Sequence, residues 1–418
     1  MKSAPHEQTP ARERVILLTL CAVQFTHVLD FMIMMPLGPH LMRVFQIDPA
    51  QFSRLVAAYG LAAALAGFAG GFVLDRFDRK HALLGLYTGF GLATLACALA
   101  PDYSTLLLAR LAAGAFGGVA SSVVTAMVGD VIPPERRGRA MAAVSVAFPI
   151  ASVLGVPLGL VLAERSEWHA PFFLLASLSI VVLALVWRSL PPLKVQHAPA
   201  HPWAQMKAIL SEPVHQRGFL VSAALVFAGG LIVPFLAPSM VANVGLTEGQ
   251  LPLIYLVGGI CTFVTTPLIG RLSDRHDKLH VLGWLSLAAS LVVLLLTNLP
   301  RASVPLAIVA TALFMVTMSG RFGPTMAMVT NAVGPRYRGG FMSVNSATQQ
   351  AANGLANLTA GLLVTADASG RLIGYPRAGL VAIACFWLTF FFARRLRSLA
   401  PHASRPGRFE ETPAAVAD

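Results

Sequence analysis

Twelve apolar stretches recur along this chain of 418 residues, at about 15–38, 52–74, 82–100, 104–127, 140–162, 171–190, 218–242, 250–270, 279–297, 304–328, 341–365 and 376–393. Each is close to the roughly 20 residues that cross the hydrocarbon of a bilayer. Lipid offers no water to a bare N–H or C=O, so such a run crosses only with its backbone bonds closed internally. The spacing therefore predicts an all-α membrane protein with 12 transmembrane helices. Charged residues make up 12% of the chain, against about 25% in a soluble domain. The net charge of +12 does not argue for nucleic acid as a partner, because the basic residues are scattered over short loops between apolar runs. That scatter is what the positive-inside rule predicts for a chain whose partner is the lipid bilayer.

Counting Lys and Arg gives an orientation. With the N-terminus inside, the segments on that side hold 23 of the 31, the opposite segments hold six, and Arg110 and Arg321 lie within spans. Both termini and the central loop are then expected in the cytoplasm, with the helices in the inner membrane. The stretch 191–217, rich in Pro and His, is the longest interruption and separates six spans from six. The expected organisation is a cytoplasmic segment 1–14, a six-helix bundle 15–190, a cytoplasmic linker 191–217, a second bundle 218–393 and a disordered cytoplasmic tail 394–418. No small-residue cleavage site follows the first apolar run, so no removable signal is expected. The four cysteines lie inside apolar runs without ligand spacing, which predicts neither a metal site nor a disulfide. No G-x-x-x-x-G-K-[ST] loop is present, so no nucleotide cofactor or ATP coupling is expected.

The two halves repeat each other. Gly71-Phe-Val-Leu-Asp75-Arg76-Phe-Asp78-Arg79-Lys80 follows the second span, and Gly270-Arg-Leu-Ser-Asp274-Arg275-His-Asp277-Lys278 follows the eighth, 199 residues on. Pro134, Arg137, Gly138 and Met141 after the fourth span match Pro335, Arg338, Gly339 and Met342 after the tenth, 201 residues on. Two matches at nearly one offset predict two homologous halves, an arrangement suited to alternating access around a central site.

These motifs carry a resemblance. Gly71 to Lys80 resembles the signature loop of the major facilitator superfamily, with Asp78 where that family usually has Gly. Leu29-Asp30 to Pro36-Leu-Gly-Pro39 resembles the first-helix motif of its drug–proton antiporter branch, with Asp30 in place of the usual Gly. Arg110-Leu-Ala-Ala-Gly-Ala-Phe-Gly-Gly resembles the fourth-helix motif, and Gly155-x-Pro157-x-Gly159 resembles a reduced fifth-helix antiporter motif. Taken together, residues 14–394 resemble the arabinose-efflux-permease-like (AraJ-type) group. The resemblance implies the major facilitator fold, two pseudo-symmetric six-helix bundles, and proton-coupled export. It also implies that the loops carrying Gly71, Asp75, Arg76, Arg79, Lys80, Gly270, Asp274 and Arg275 act as gates by charge pairing across helix ends.

Asp30 is the one acid of 19 that falls within a span. A carboxylate at the bilayer centre costs at least about 2.5–3.5 kcal/mol, and intramembrane acids are functional by default. It can hold a proton or a cation, and its surroundings decide which form it takes. His27 lies three residues earlier on the same helix face and is positioned to tune or relay that proton. Arg110 should pair with Asp30. Taking 1.5 Å per residue along the first and fourth spans, both lie roughly 10 Å below the outer boundary. Arg321 is expected near the inner side of the tenth span, as a gate or as a contact for an anionic substrate. Asn345, Gln349, Asn353 and Asn357 recur every four residues on the eleventh span and form one stripe. Amides in lipid seek a wet cavity or another helix, so the stripe is a candidate substrate lining, as are Tyr59, Tyr255, Thr262 and Thr266. Gly155, Pro157 and Gly159 predict close packing and a bend in the fifth helix.

The chain carries no clustered nucleophile, base or metal set, which argues against an enzyme. The expected function is a secondary transporter, working as a monomer, that exchanges protons for a small amphipathic molecule, drug-like or sugar-like. The alternative is an uptake symporter or facilitator for a small organic anion held by Arg110 and Arg321.

Overall fold

The structure is a computed structural model that describes residues 10–73, 77–191, 202–334 and 337–405. Twelve long helices follow one another among these residues. They are α1 Pro10–Ile33, α2 Pro49–Val73, α3 Arg79–Ala98, α4 Tyr103–Val131, α5 Arg136–Arg165 and α6 Ala170–Ser189 in the first half. The second half holds α7 Pro213–Val244, α8 Leu251–Arg275, α9 Lys278–Thr297, α10 Val304–Asn331, α11 Arg338–Leu363 and α12 Tyr375–Leu399. Eleven of the described helices are long and apolar enough to cross a membrane. The exception is α11, which has 26 residues but carries the amide stripe. A two-residue β-hairpin, Thr365–Ala366 with Leu372–Ile373, joins α11 to α12.

Local chemistry sets the helix starts. The carboxylate of Asp78 accepts from the N–H groups of Lys80 and His81, that of Asp102 from Thr105, and that of Asp277 from Leu279. Each satisfies donors that a helix N-terminus leaves free. Asp78 and Asp277 stand at the same place in the two repeats. The Asp that departs from the superfamily's usual Gly is therefore a helix cap. Helix α5 contains a π-helical turn over Ala151–Gly155, just ahead of Pro157. Such a turn displaces the helix axis.

Packing repeats from half to half. Contacts α2–α4, α3–α4, α3–α6 and α1–α6 are matched by α8–α10, α9–α10, α9–α12 and α7–α12. The halves meet along two seams, α2 against α11 and α5 against α8. At the first, a Cβ built on Gly60 would lie 3.2 Å from the Gln350 carbonyl oxygen and 3.3 Å from the Gly354 nitrogen. At the second, a Cβ on Gly259 would lie 3.0 Å from Val153 Cγ2. Small residues let the backbones approach this closely.

Further ties between the halves lie at the end of the bundle away from the chain termini. The short helix Gly38–Val44, between α1 and α2, carries His40 and Arg43 to Glu248, just before α8. Arg43 Nη1 donates to Glu248 Oε1 at 2.6 Å and Nη2 to Oε2 at 3.2 Å, while His40 Nδ1 sits 3.1 Å from Oε2. Glu164 at the end of α5 touches Gly249, and Gly38 packs on Phe52 and Pro238. At the terminal end the described polar ties stay within a half, such as Arg136–Glu13 at 2.8 Å and Arg397–Asp277 at 3.3 Å.

Three boundaries differ from the expectation. Helix α1 ends at Ile33 rather than near 38, because the chain turns at Met34–Leu37 before Gly38–Val44. The expected linker 191–217 contains a helix, Pro202–Ser211, anchored by buried Ile209, whose carbonyl accepts from His215. Residues 394–405 of the expected disordered tail are structured. Helix α12 runs on to Leu399, and the turn Pro401–Ser404 packs against α10 beside the start of α9. There Lys278 Nζ donates to the Arg405 carbonyl at 2.9 Å, and His402 Nε2 lies 3.1 Å from the Asn331 carbonyl. Tail composition is polar, but these partners satisfy it.

Candidate functional site

Helices α1, α2 and α4 bring four side chains together in the first half. Asp30 on α1 is 0% exposed and Arg110 on α4 is 1% exposed. Arg110 Nη1 donates to Asp30 Oδ2 at 2.8 Å and lies 3.4 Å from the Asp30 main-chain oxygen. The guanidinium carbon stands 4.5 Å from the centre of the Tyr59 ring, a cation–π contact from α2. Asp30 Oδ1 and Arg110 Nε have no hydrogen-bond partner among the described residues. The pair is thus held at one oxygen and one nitrogen, which leaves each partner an atom for a new contact.

His27 does not bond to Asp30. Its Nδ1 lies 2.7 Å from the Tyr59 hydroxyl. Tyr59 therefore bridges the two parts of the site, with its ring under Arg110 and its hydroxyl on His27. Next to it, Thr26 Oγ1 and the Tyr87 hydroxyl are 2.7 Å apart. The glycines of α4 make the space. Gly114 faces the Tyr59 main chain, and a Cβ on Gly117 would lie 2.7 Å from both His27 Nδ1 and the Tyr59 oxygen. The fourth-helix motif thus places an Arg and the gaps that let α2 close over it. Gly117 is a residue that sequence reasoning did not single out, although it lies within that motif.

Gly155 and Gly159 do the same for α1 against α5. A Cβ at Gly155 would lie 2.7 Å from Leu29 Cδ1, and one at Gly159 2.5 Å from Ile33 Cδ1. They seat the helix that carries Asp30. Pro157 follows the π-helical turn by two residues.

The second half carries a different polar set. Arg321 on α10 is 0% exposed, and its guanidinium carbon lies 4.0 Å from the centre of the Phe386 ring on α12. Its Nε and Nη2 have no hydrogen-bond partner among the described residues. On α11, Asn345 and Asn357 are 0% exposed, and both amide atoms of each lack a partner among the described residues, as does Nδ2 of Asn353. Gln349 is half-buried, with Nε2 at 3.6 Å from Met326 Sδ. Tyr255 and Thr262 on α8 are buried with hydroxyls that have no partner among the described residues, and Thr266 donates to the Thr262 carbonyl. Buried polar atoms are nearly always satisfied, so a row of open ones points to water or a ligand.

The expected gating residues divide. Asp75 and Arg76 lie outside the described residues, and Gly71 is in the last turn of α2. Arg79 Nε is 3.4 Å from Asp130 Oδ2 and Lys80 Nζ donates to the Trp187 carbonyl at 2.7 Å. Both ties stay inside the first half rather than crossing to the second. Gly270, Asp274 and Arg275 end α8, with the two charged side chains exposed. A polar bridge that crosses the halves is the His40–Arg43–Glu248 cluster, which sequence reasoning missed. Its partners are 205 residues apart and carry no motif.

The profile of the Major Facilitator Superfamily matches twice, over residues 20–231 and 218–416. The uncharacterized MFS-type transporter YceJ of Bacillus subtilis (strain 168) is 26% identical over 347 residues, 82% of this chain and 87% of that protein. A probable sugar efflux transporter of Helicobacter pylori (strain ATCC 700392 / 26695) is 21% identical over 234 residues, 56% of this chain and 59% of its own length. The crystal structure of a D-xylose-proton symporter superposes with a TM-score of 0.76 at 15% identity, covering 93% of this chain and 98% of that one. At that identity the likeness speaks for the fold.

Proposed function

This chain belongs to the major facilitator superfamily, and from that premise we propose that it is a proton-coupled secondary transporter that exports a small molecule. The observation that carries the proposal is the buried Asp30–Arg110 pair. Protonating Asp30 would strand the Arg110 charge at a site that water does not reach. Proton uptake therefore has to be accompanied by a rearrangement that gives Arg110 a new partner. That coupling between charge and shape is what an alternating-access carrier requires. The Tyr59 hydroxyl on His27, with the Tyr59 ring against Arg110, sets a second titratable side chain beside the pair. A proton-coupled symporter among the fold's neighbours supports the coupling.

Export rests on the motif resemblance to the drug–proton antiporter branch and its AraJ-type group, and on the sugar efflux relative. In this reading the protein lies in the inner membrane with both termini cytoplasmic, and functions as a monomer. The described state is then closed toward the outside by Glu248 and its partners. The gating role of Asp75, Arg76, Asp274 and Arg275 belongs to the state in which the terminal end closes. The alternative, uptake of an anion held by Arg110 and Arg321, asks Arg110 to leave a carboxylate it already holds.

The test is proton release from purified protein in detergent on adding candidate substrates, with Asp30→Asn beside the wild type. Release in the wild type alone is the expected result. Equal release from both would move the proton elsewhere, His27 first. No release with a substrate that binds would overturn proton coupling and leave a facilitator.

A further inference from the structure

Among the described residues Arg321 is a cation without a counter-charge. Four acids lie between Pro213 and Leu399, and none is at its depth. Glu248 precedes α8 and Asp367 sits in the hairpin loop after α11, both at the end away from the termini. Asp274 and Asp277 flank the α8–α9 corner at the terminal end. In the first half Asp30 neutralises Arg110; the second half has no equivalent of Asp30. A lone buried charge is one of the more expensive things a fold can carry. Snorkelling does not relieve it, because the side chain is 0% exposed and stacked on Phe386.

The geometry of the open atoms is specific. Nε and Nη2 form one edge of the guanidinium plane, the fork that accepts a carboxylate with two parallel hydrogen bonds. The stacked face is occupied and the fork is open. Other unmatched polar atoms lie at the same level. Ser222 on α7, Ser286 on α9 and Asn345 on α11 are all 0% exposed without a side-chain partner among the described residues. Reckoned along their helices, all four residues lie about 10–15 Å from the terminal end. These are neutral groups, so the local charge to be balanced is a single positive one.

The helix at this point is built to bend. Pro324 lies inside α10 and has no N–H to give the Gly320 carbonyl. Gly323 has open space where a Cβ would be. The missing bond at Pro324 lies within one turn of Arg321, so α10 is weakest in its backbone ladder next to this side chain.

We propose that Arg321 binds the carboxylate of a small organic monoanion through its Nε–Nη2 edge, so that the molecule this transporter moves is an acid. The inference rests on the transporter reading and names its substrate class; it does not depend on Asp30 carrying the proton. A phosphate dianion would leave a net negative charge here, and a neutral sugar would leave the cation bare.

The experiment uses the full chain in detergent and four probes, benzoate and octanoate with their neutral amides, benzamide and octanamide. Binding is read by thermal shift across a concentration series. The wild type should prefer each acid over its amide by at least about tenfold in apparent affinity, the scale of a charge-assisted fork. Arg321→Gln should bring that preference to within about twofold, and Arg321→Lys should retain part of it. Equal response to acids and amides, persistence of the preference in Arg321→Gln, or no response to any probe would each overturn the proposal. A second readout needs no ligand. Arg321→Met removes an unpaired charge and should raise the melting temperature of the ligand-free protein; a fall would mean that the charge is internally satisfied. Asp30→Asn should keep the acid preference while losing proton release, so the two readings can fail separately.

Discussion

Replacing either partner of the Asp30–Arg110 pair by its neutral isostere should destabilise the protein far more than replacing both. The pair is 0% and 1% exposed with a 2.8 Å contact. Two unit charges about 4 Å apart attract by about 4 kcal/mol at an effective dielectric constant of about 20. Removing one partner of a buried pair costs about 3–5 kcal/mol, because the other remains charged in a place it cannot be solvated. Asp30→Asn and Arg110→Gln should therefore each fall in that range. The double variant, with no charge left to strand, should lie below either single, giving an interaction energy of about 3 kcal/mol or more. Reversible unfolding in mixed micelles measures all four corners of the cycle. Costs that add to within about 0.5 kcal/mol would refute the reasoning, since that is how independent sites behave. A transport cycle with Arg110→Ala in place of Arg110→Gln should show the same non-additivity.

Other perturbations follow from single contacts. Gly117→Ala sets a methyl group 2.7 Å from both His27 Nδ1 and the Tyr59 oxygen; overpacking of this kind costs about 1–3 kcal/mol, and unchanged unfolding together with unchanged transport would show that α4 has room there. Tyr59→Phe removes the hydroxyl on His27 but keeps the ring under Arg110, so it should slow proton release without matching the stability loss of Arg110→Gln. Glu248→Gln weakens a rim cluster whose Arg43 is well exposed; stability should change by about 1 kcal/mol or less, while spin labels at Gln46 and Thr247 should report a larger fraction of molecules open at that end. Asp277→Ala removes the α9 cap and the partner of Arg397, and limited proteolysis should then cut the chain after Leu399 sooner than in the wild type.

The sequence announced what depends on distance along a helix and hid what depends on direction around it. Apolar runs of spanning length predict helices because lipid leaves no other choice, and the repeat at one offset predicts two halves. The meeting of Asp30 with Arg110 needed only the rise per residue. That His27 would turn to Tyr59 rather than to Asp30 depends on which face of α2 passes behind α1, and the pattern of apolar residues does not encode it. The Arg43–Glu248 bridge joins residues on opposite halves, and only the assembled bundle reveals it. Residues 394–405 differ from the expectation for a related reason. Their polarity reads as solvation until Asp277, Asn331 and Lys278 are there to receive it.

The two seams carry a mechanical consequence. Each is a place where backbones of opposite halves nearly touch, Gly60 with Gly354 on one side and Val153 with Gly259 on the other. Two fixed points define an axle. On α2 the first lies about 17 Å from one end of the helix and about 20 Å from the other. A rotation of 10° about this axle would widen one mouth by about 3 Å and narrow the opposite one by nearly as much. The arms are almost equal, so neither mouth has leverage over the other. A side chain added at Gly60 would therefore change the travel of both mouths by similar amounts.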